Sequence, residues 1–255
     1  MKRRFLILSL SLIIFFFFGR GTLCAEVKIG TAEGLIELSK NVSSGSLYKG
    51  TTVLLDADID FSGSFSEQFG PIGYYNLYND YKYLQGTFDG QGYTINGLAM
   101  NSSSEYVGLF GYSKGSTIRN VVLDSSCSVV SSYRGSNNVY IGGIIGEFYA
   151  SRGPCLIENT VNMASVSFTG STSSNLYLGG IVGEPSGTVK NCANYGSVTY
   201  SGKSICYAYI GGIAGYFTGN SSNIFIYIQN CLNHGTVTQW NYKKCPGHWR
   251  DFRIC

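Results

Sequence analysis

A two-block pattern recurs four times along the chain, and it constrains the fold more than any other feature. The first block is Tyr106-Val107-Gly108-Leu109-Phe110-Gly111, then Tyr140-Ile141-Gly142-Gly143-Ile144-Ile145-Gly146, Tyr177-Leu178-Gly179-Gly180-Ile181-Val182-Gly183 and Tyr209-Ile210-Gly211-Gly212-Ile213-Ala214-Gly215. The second block follows each copy as Ile118-Arg119-Asn120-Val121, Ile157-Glu158-Asn159-Thr160, Val189-Lys190-Asn191-Cys192 and Ile228-Gln229-Asn230-Cys231. Between Gly111, Gly146, Gly183 and Gly215 the steps are 35, 37 and 32 residues. Self-similarity at such a period marks a repeat architecture. The segments are short, rich in Ile, Val and Tyr, and punctuated by Gly, Asn and Ser, so they read as strands. No amphipathic helical stretch lies between Tyr106 and Thr238, which excludes helical and leucine-rich repeats. A β-solenoid remains, with each repeat one coil of about three strands stacked on the next at the ~4.8 Å spacing of paired strands.

The second block also predicts a bend. Its apolar residue and the small residue three places later cannot both face inward on a straight strand. Asn tolerates the left-handed conformation that such a bend uses, and Asn120, Asn159, Asn191 and Asn230 then stack as a structural ladder of side-chain amides. An N-terminal helix over residues 32–40, with Thr31 as its N-cap and Leu35, Ile36 and Leu38 as its apolar positions, is expected to cap the first coil.

Composition agrees with a β-rich chain. Of 255 residues, 34 are Gly and 4 are Pro, and only 13% are charged against the usual ~25%. The formal net charge of +3 does not argue for nucleic acid. Four of the basic residues, Lys2, Arg3, Arg4 and Arg20, flank an apolar run from Phe5 to Phe18. This is the layout of a signal peptide over residues 1–25, too short to span a membrane. No later segment approaches spanning length. With the signal and the basic tail 239–255 set aside, the solenoid carries about −4, from 10 basic and 14 acidic residues. The mature chain is expected outside the cell or at its surface. An oxidising setting makes the cysteines of interest, but they show no CxxC or His/Cys spacing for zinc. Cys192 and Cys231, at equivalent repeat positions, read as stacked buried thiols.

Gly179-Gly180-Ile181-Val182-Gly183 followed by Val189-Lys190-Asn191-Cys192-Ala193-Asn194-Tyr195-Gly196-Ser197-Val198 resembles the GLUG repeat of secreted and cell-surface proteins. The upstream segments 54–61, 70–73 and 86–98 look like the first coils of such proteins, so the resemblance spans about residues 27–238. It implies an all-β fold, a right-handed single-stranded parallel β-helix with a short N-terminal capping helix. The expected organisation is a signal at 1–25, a GLUG-like β-helix domain at 26–238 and a C-terminal tail or cap at 239–255. Within the domain, 26–98 holds the cap and first coils and 99–238 the four repeats. For function the resemblance implies an adhesin-like displayed scaffold more than an enzyme.

The chemical candidates are few. Glu147 and Glu184 share a repeat position and stack about one coil apart, but Tyr112 and Tyr216 occupy that position in the neighbouring copies, so the pair reads as exposed turn residues rather than catalytic carboxylates. His234 alternates with Tyr195 between copies and reads as a surface aromatic. Asp56, Asp58 and Asp60 alternate as on one strand face, a solvated row too small for the 6–8 oxygens of Ca²⁺. Asp89 reads as a turn residue bonded to its own backbone. Tyr74, Tyr75, Tyr78, Tyr81 and Tyr83 cluster within ten residues, either a rigid amphipathic surface suited to glycans or proteins or a loop folded over the coil with its rings as packing. Asn41, Asn101 and Asn220 head N-glycosylation sequons, used only in a eukaryotic source.

These features point to a non-catalytic module for adhesion or ligand binding, with a glycan or a surface protein as partner. They call for no cofactor, no metal, no nucleic acid and no membrane span after signal removal. The alternatives are a polysaccharide lyase or hydrolase on the same scaffold, and a passive surface spacer.

Overall fold

The computed structural model describes residues 25–63, 68–75, 81–150, 155–202, 207–217 and 226–239. All but the last residue of the signal segment, Asn220 and all but the first residue of the tail 239–255 lie outside the described residues. The chain winds into a parallel β-solenoid of about five turns with one short helix at its N-terminus.

The coils over 117–149 and 156–185 each hold five main strands rather than three, and a sixth of two residues at Arg134–Gly135 and Ser171–Thr172. The coil that starts at Thr117–Arg119 continues through Val122–Leu123, Ser128–Ser131, Val139–Gly142 and Ile145–Tyr149. Every one of these strands pairs in parallel with its equivalent in the coils above and below. The longest sheet runs Ala25–Ile29, Thr51–Leu55, Thr87–Asp89, Thr117–Arg119, Leu156–Glu158, Thr188–Lys190 and Tyr227–Gln229. The register keeps repeat positions aligned: Ile118 faces Phe88 and Ile157, Ile157 faces Val189, and Val189 faces Ile228. Identical positions are therefore buried coil after coil, and Phe88, Ile118, Ile157 and Val189 are fully inaccessible to solvent.

The bend after that sheet is made by Asn120, Asn159, Asn191 and Asn230, with φ between 51° and 54°. It turns the chain so that Val121, Thr160 and Cys192 are buried too. The bend side chains form a directed chain of amides. Asn159 donates to Asn120 at 3.3 Å, Asn191 to Asn159 at 3.2 Å and Asn230 to Asn191 at 3.4 Å. Asn120 ends the chain on the Asp89 carboxylate, at 2.9 Å.

A second amide ladder starts inside the core at the buried Asn162 and Asn194 and ends at the exposed Asn233. Asn162 donates to Asn194 at 2.8 Å and Asn194 to Asn233 at 2.9 Å, while their amides also reach the Ala164 and Gly196 carbonyls. These amides donate toward the C-terminal coils and the outer ones toward the N-terminal coils, so the two ladder dipoles oppose each other. Across the core each inner Asn meets the second Gly of a repeat block. A Cβ on Gly143 would lie 2.6 Å from Asn162 Cγ, and one on Gly180 2.4 Å from Asn194 Cγ. In the first of the four sequence repeats Leu123 stands in register with Asn162, and there the facing block reads Gly108-Leu109 rather than Gly-Gly.

The helix covers the first coil. It spans Ala32–Ser43, three residues beyond the expected end, and the Thr31 hydroxyl accepts from Gly34 N at 3.2 Å. Its buried face holds Leu35, Ile36, Leu38 and Val42, and Ser39 is tied to the Gly70 carbonyl at 2.7 Å.

Candidate functional site

Two neighbouring faces of the solenoid meet at a corner where the repeat stacks polar and aromatic side chains in two parallel rows. One row is Tyr106, Tyr140, Tyr177 and Tyr209, aligned by the parallel pairing of strands Tyr106–Val107, Val139–Gly142, Asn175–Gly179 and Tyr207–Gly211. Their rings lie nearly parallel, with centroids 5.2, 4.9 and 5.3 Å apart and interplanar angles of 2°, 9° and 8°. The spacing is that of the coils, so ring faces are consumed within the stack; Tyr106, Tyr140 and Tyr209 are half-buried and Tyr177 is buried. Asn138 and Asn175 donate to the hydroxyls of Tyr140 and Tyr177 at 3.2 and 3.1 Å, which fixes two rungs.

The second row is Tyr112, Glu147 and Glu184, in register on strands Phe110–Lys114, Ile145–Tyr149 and Val182–Pro185. Tyr216 extends it through its amide bond to the Gly183 carbonyl. Glu147 and Glu184 are thus strand residues in a half-buried corner, not exposed turn residues. Aromatic rings close both ends of the carboxylate pair. Tyr112 packs edge-on against Tyr106 at 5.6 Å, and Tyr216 lies over Tyr209 at 4.3 Å.

The electrostatics of the pair are unusual. Burial, reinforced by the neighbouring Glu184, pushes Glu147 up to about 8. Burial alone lifts Glu184 to about 7. Among the described residues neither carboxylate takes a hydrogen bond or a cation, and Lys114, on an adjoining strand, is instead placed over the Tyr149 ring at 5.1 Å. The tyrosines respond to the same surroundings. Burial, with Glu147 next, raises Tyr106, Tyr112 and Tyr140 far above an ordinary phenol, and Tyr177 rises to about 12. Near neutral pH the corner holds partly protonated carboxyl groups among neutral phenols, able to donate and accept hydrogen bonds along its length.

The Tyr74–Tyr83 cluster joins this corner in part. Tyr74–Tyr75 pairs antiparallel with Tyr81–Lys82 as a small hairpin. Tyr75 is exposed and packs against Tyr112 at 5.2 Å, which makes it continuous with the two rows. Tyr83 also contacts Tyr112 at 5.2 Å but is buried, so it supports the corner from beneath. Tyr74 is half-buried, with Lys82 above its ring. Tyr78 lies outside the described residues, and Tyr81 is placed by its backbone.

Elsewhere the candidate residues are structural in their contacts. Asp58 accepts from Thr94 N and Asp60 from Ser62 N, each at 2.8 Å. Asp56, Asp58 and Asp60 are all exposed, Asp60 on the short strand Ile59–Asp60 and the other two before it. Asp89 bonds its own backbone at Gln91 N, as its turn position implies, and also receives Arg119 Nε at 2.8 Å. His234 stacks on the exposed Tyr195 at 6.0 Å. Asn41 lies in the helix, and Asn101 is exposed on the strand Ala99–Ser102. Among the described residues no three His, Cys, Asp or Glu side chains converge as a metal site, and no helix is long and apolar enough to cross a membrane.

No family model and no curated protein matches the chain. A solved structure does: the chain is similar in fold to one from Bacteroides ovatus titled a "putative immunoglobulin A1 protease". The TM-score is 0.51 at 20% identity, over 90% of this chain and 84% of that one. At that identity the likeness is one of fold alone.

Proposed function

We propose that the protein is an exported, surface-associated binding module, and that the Tyr/Glu corner is where it holds its ligand, a glycan or a surface protein. The observation that carries this reading is the carboxylate pair Glu147 and Glu184, half-buried beside the tyrosine row and without a cation among the described residues. A protein gains no stability from leaving two carboxylates so placed, and a ligand with hydroxyl or amine donors would satisfy them. The exposed Tyr75 and the hydroxyl edges of Tyr106 and Tyr140 extend the surface, with fixed rings that lose little entropy on contact.

A second reading has a specific observation behind it. Two neighbouring carboxyl groups with raised proton affinity can act as acid and base, so a polysaccharide-cleaving enzyme is the rival. The binding reading is preferred because the two side chains rise from one sheet in the same direction, whereas a cleaved glycosidic bond is flanked by its two carboxylates.

A glycan array with the mature domain, run beside a polysaccharide depolymerisation assay, separates the two. The expected result is binding without cleavage, weakened at least tenfold in a Glu147→Gln/Glu184→Gln variant. Cleavage that disappears in that variant establishes the enzyme, and binding that survives unchanged moves the ligand site elsewhere.

A further inference from the structure

Cys192 and Cys231 directly follow the ladder residues Asn191 and Asn230, on successive coils whose lower counterparts carry Thr160 and Val121. Their thiols point the same way. Cys192 Sγ donates to the Lys190 carbonyl at 3.2 Å and also reaches Ile157 O, one coil below, at 3.9 Å. Cys231 Sγ repeats the pattern with Gln229 O at 3.3 Å and Val189 O at 3.6 Å. Two side chains with equivalent partners one coil apart have nearly parallel Cβ–Sγ bonds, offset by the strand spacing of ~4.8 Å.

That arrangement opposes a disulfide, which needs sulfurs ~2.05 Å apart on converging Cβ atoms; both cysteines are free. A linear two-coordinate ion has the opposite requirement. It holds two sulfurs facing each other across the metal, roughly 4.6 Å apart if a zinc–thiolate bond of ~2.3 Å is the guide. Each Cβ–Sγ bond then stands nearly perpendicular to the sulfur–metal–sulfur axis, and in-register stacking supplies that geometry.

We propose that Cys192 and Cys231 form a two-thiolate site for a soft monovalent d¹⁰ ion, Cu(I) in the first instance. Thiolates select such ions over harder ones. Cu⁺ binding to two thiols forms a bis(thiolate) complex and releases two protons, with no electron transferred. Both cysteines lie in or against the apolar core, no third His, Cys, Asp or Glu converges on them among the described residues, and the proposed site has two ligands. Cys231 is half-buried on the last described coil, above the buried Cys192.

The test is Cu(I) titration of the reduced full chain under anaerobic conditions against a colorimetric Cu(I) chelator. It is run on the wild type and on Cys192→Thr and Cys231→Val, which introduce residues that other coils carry at this position. The wild type is expected to retain one more equivalent of copper than either variant, each variant losing the same one. Copper-edge X-ray absorption of the wild-type complex, which needs no variant, should show two sulfur ligands in line. Equal copper in the wild type and either variant overturns the proposal. So does a wild type that holds no copper, a site with three or more ligands, or a mass two hydrogens lighter that reports a Cys192–Cys231 disulfide.

Discussion

Replacing Glu147 and Glu184 by glutamine should make the solenoid more stable in mild alkali and abolish most of its pH dependence between about pH 5 and 8.5. Both groups have folded-state proton affinities raised above the ordinary 4.5, to about 8 and about 7. A group raised in this way contributes its stability fully below the unfolded value and loses it as pH rises through the folded value. At about 1.4 kcal/mol per pH unit, the displacement of Glu147 alone corresponds to about 5 kcal/mol. The pair repels across one coil spacing, so the two displacements overlap and do not add, and their half-buried position lets water relieve part of the penalty. About 2–5 kcal/mol for the pair is the reasoned range. The groups facing Glu147 are Tyr106, Tyr112, Tyr140 and Glu184, and Glu184 in turn faces Tyr140 and Tyr177. All four tyrosines stay neutral throughout this range, so the carboxyls alone set the local slope. Urea unfolding at several pH values, with the slope on denaturant checked for constancy, measures the effect. Wild type should lose stability on going from about pH 5 to 8.5, and the double variant should stay nearly flat and exceed it at the upper end. A wild type that gains stability with pH, or a double variant with the same slope, would refute the claim that these carboxylates are buried without compensation.

Asp89 should show the opposite sign. Burial works to raise its proton affinity, but hydrogen bonds from Asn120, Gln91 N and Arg119 together outweigh it and hold the carboxyl below its ordinary value. Its contribution is present above the unfolded value and disappears as pH falls below about 4. Asp89→Asn can still accept from Asn120 and loses chiefly the Arg119 pair, so a cost of about 1–3 kcal/mol and a loss of that acid sensitivity are expected in unfolding measurements. In the core, Asn194→Ala removes the middle rung of the inner ladder, leaving its neighbours on both sides with unmatched groups, and should cost about 2–4 kcal/mol. Gly180→Ala places a Cβ 2.2 Å from the Gly212 carbonyl and against the same Asn, so a cost of about 3 kcal/mol or more is expected, seen as a lowered melting temperature.

What the chain discloses in one dimension is its translational symmetry. Ile118, Ile157, Val189 and Ile228 recur with the Asn two places later, and a coil that repeats in sequence must bury the same positions in space, so the parallel stacking and the outer amide ladder both follow from spacing. The division of a coil into five or six strands does not follow, because strands as short as Val122–Leu123 carry no periodicity to read. The inner ladder was open to inference by another route. Gly-Gly accompanies Asn162, Asn194 and Asn233, whereas Gly-Leu accompanies Leu123, and that pairing of the smallest residue with a buried amide across the core is a packing relation written twice. Glu147 and Glu184 are the harder case. Their alternation with Tyr112 and Tyr216 along the row reads as tolerance at an exposed turn, and only the folding of the neighbouring tyrosine row over them turns it into burial. Local pattern specifies which residues stack; whether a stacked row faces water or a second row depends on the angle between two sheets, a quantity set by the whole coil. The corner is therefore the part of this molecule where sequence repetition is conserved in position and relaxed in chemistry, and that combination on a rigid scaffold is the condition under which a binding surface can diverge without loss of fold.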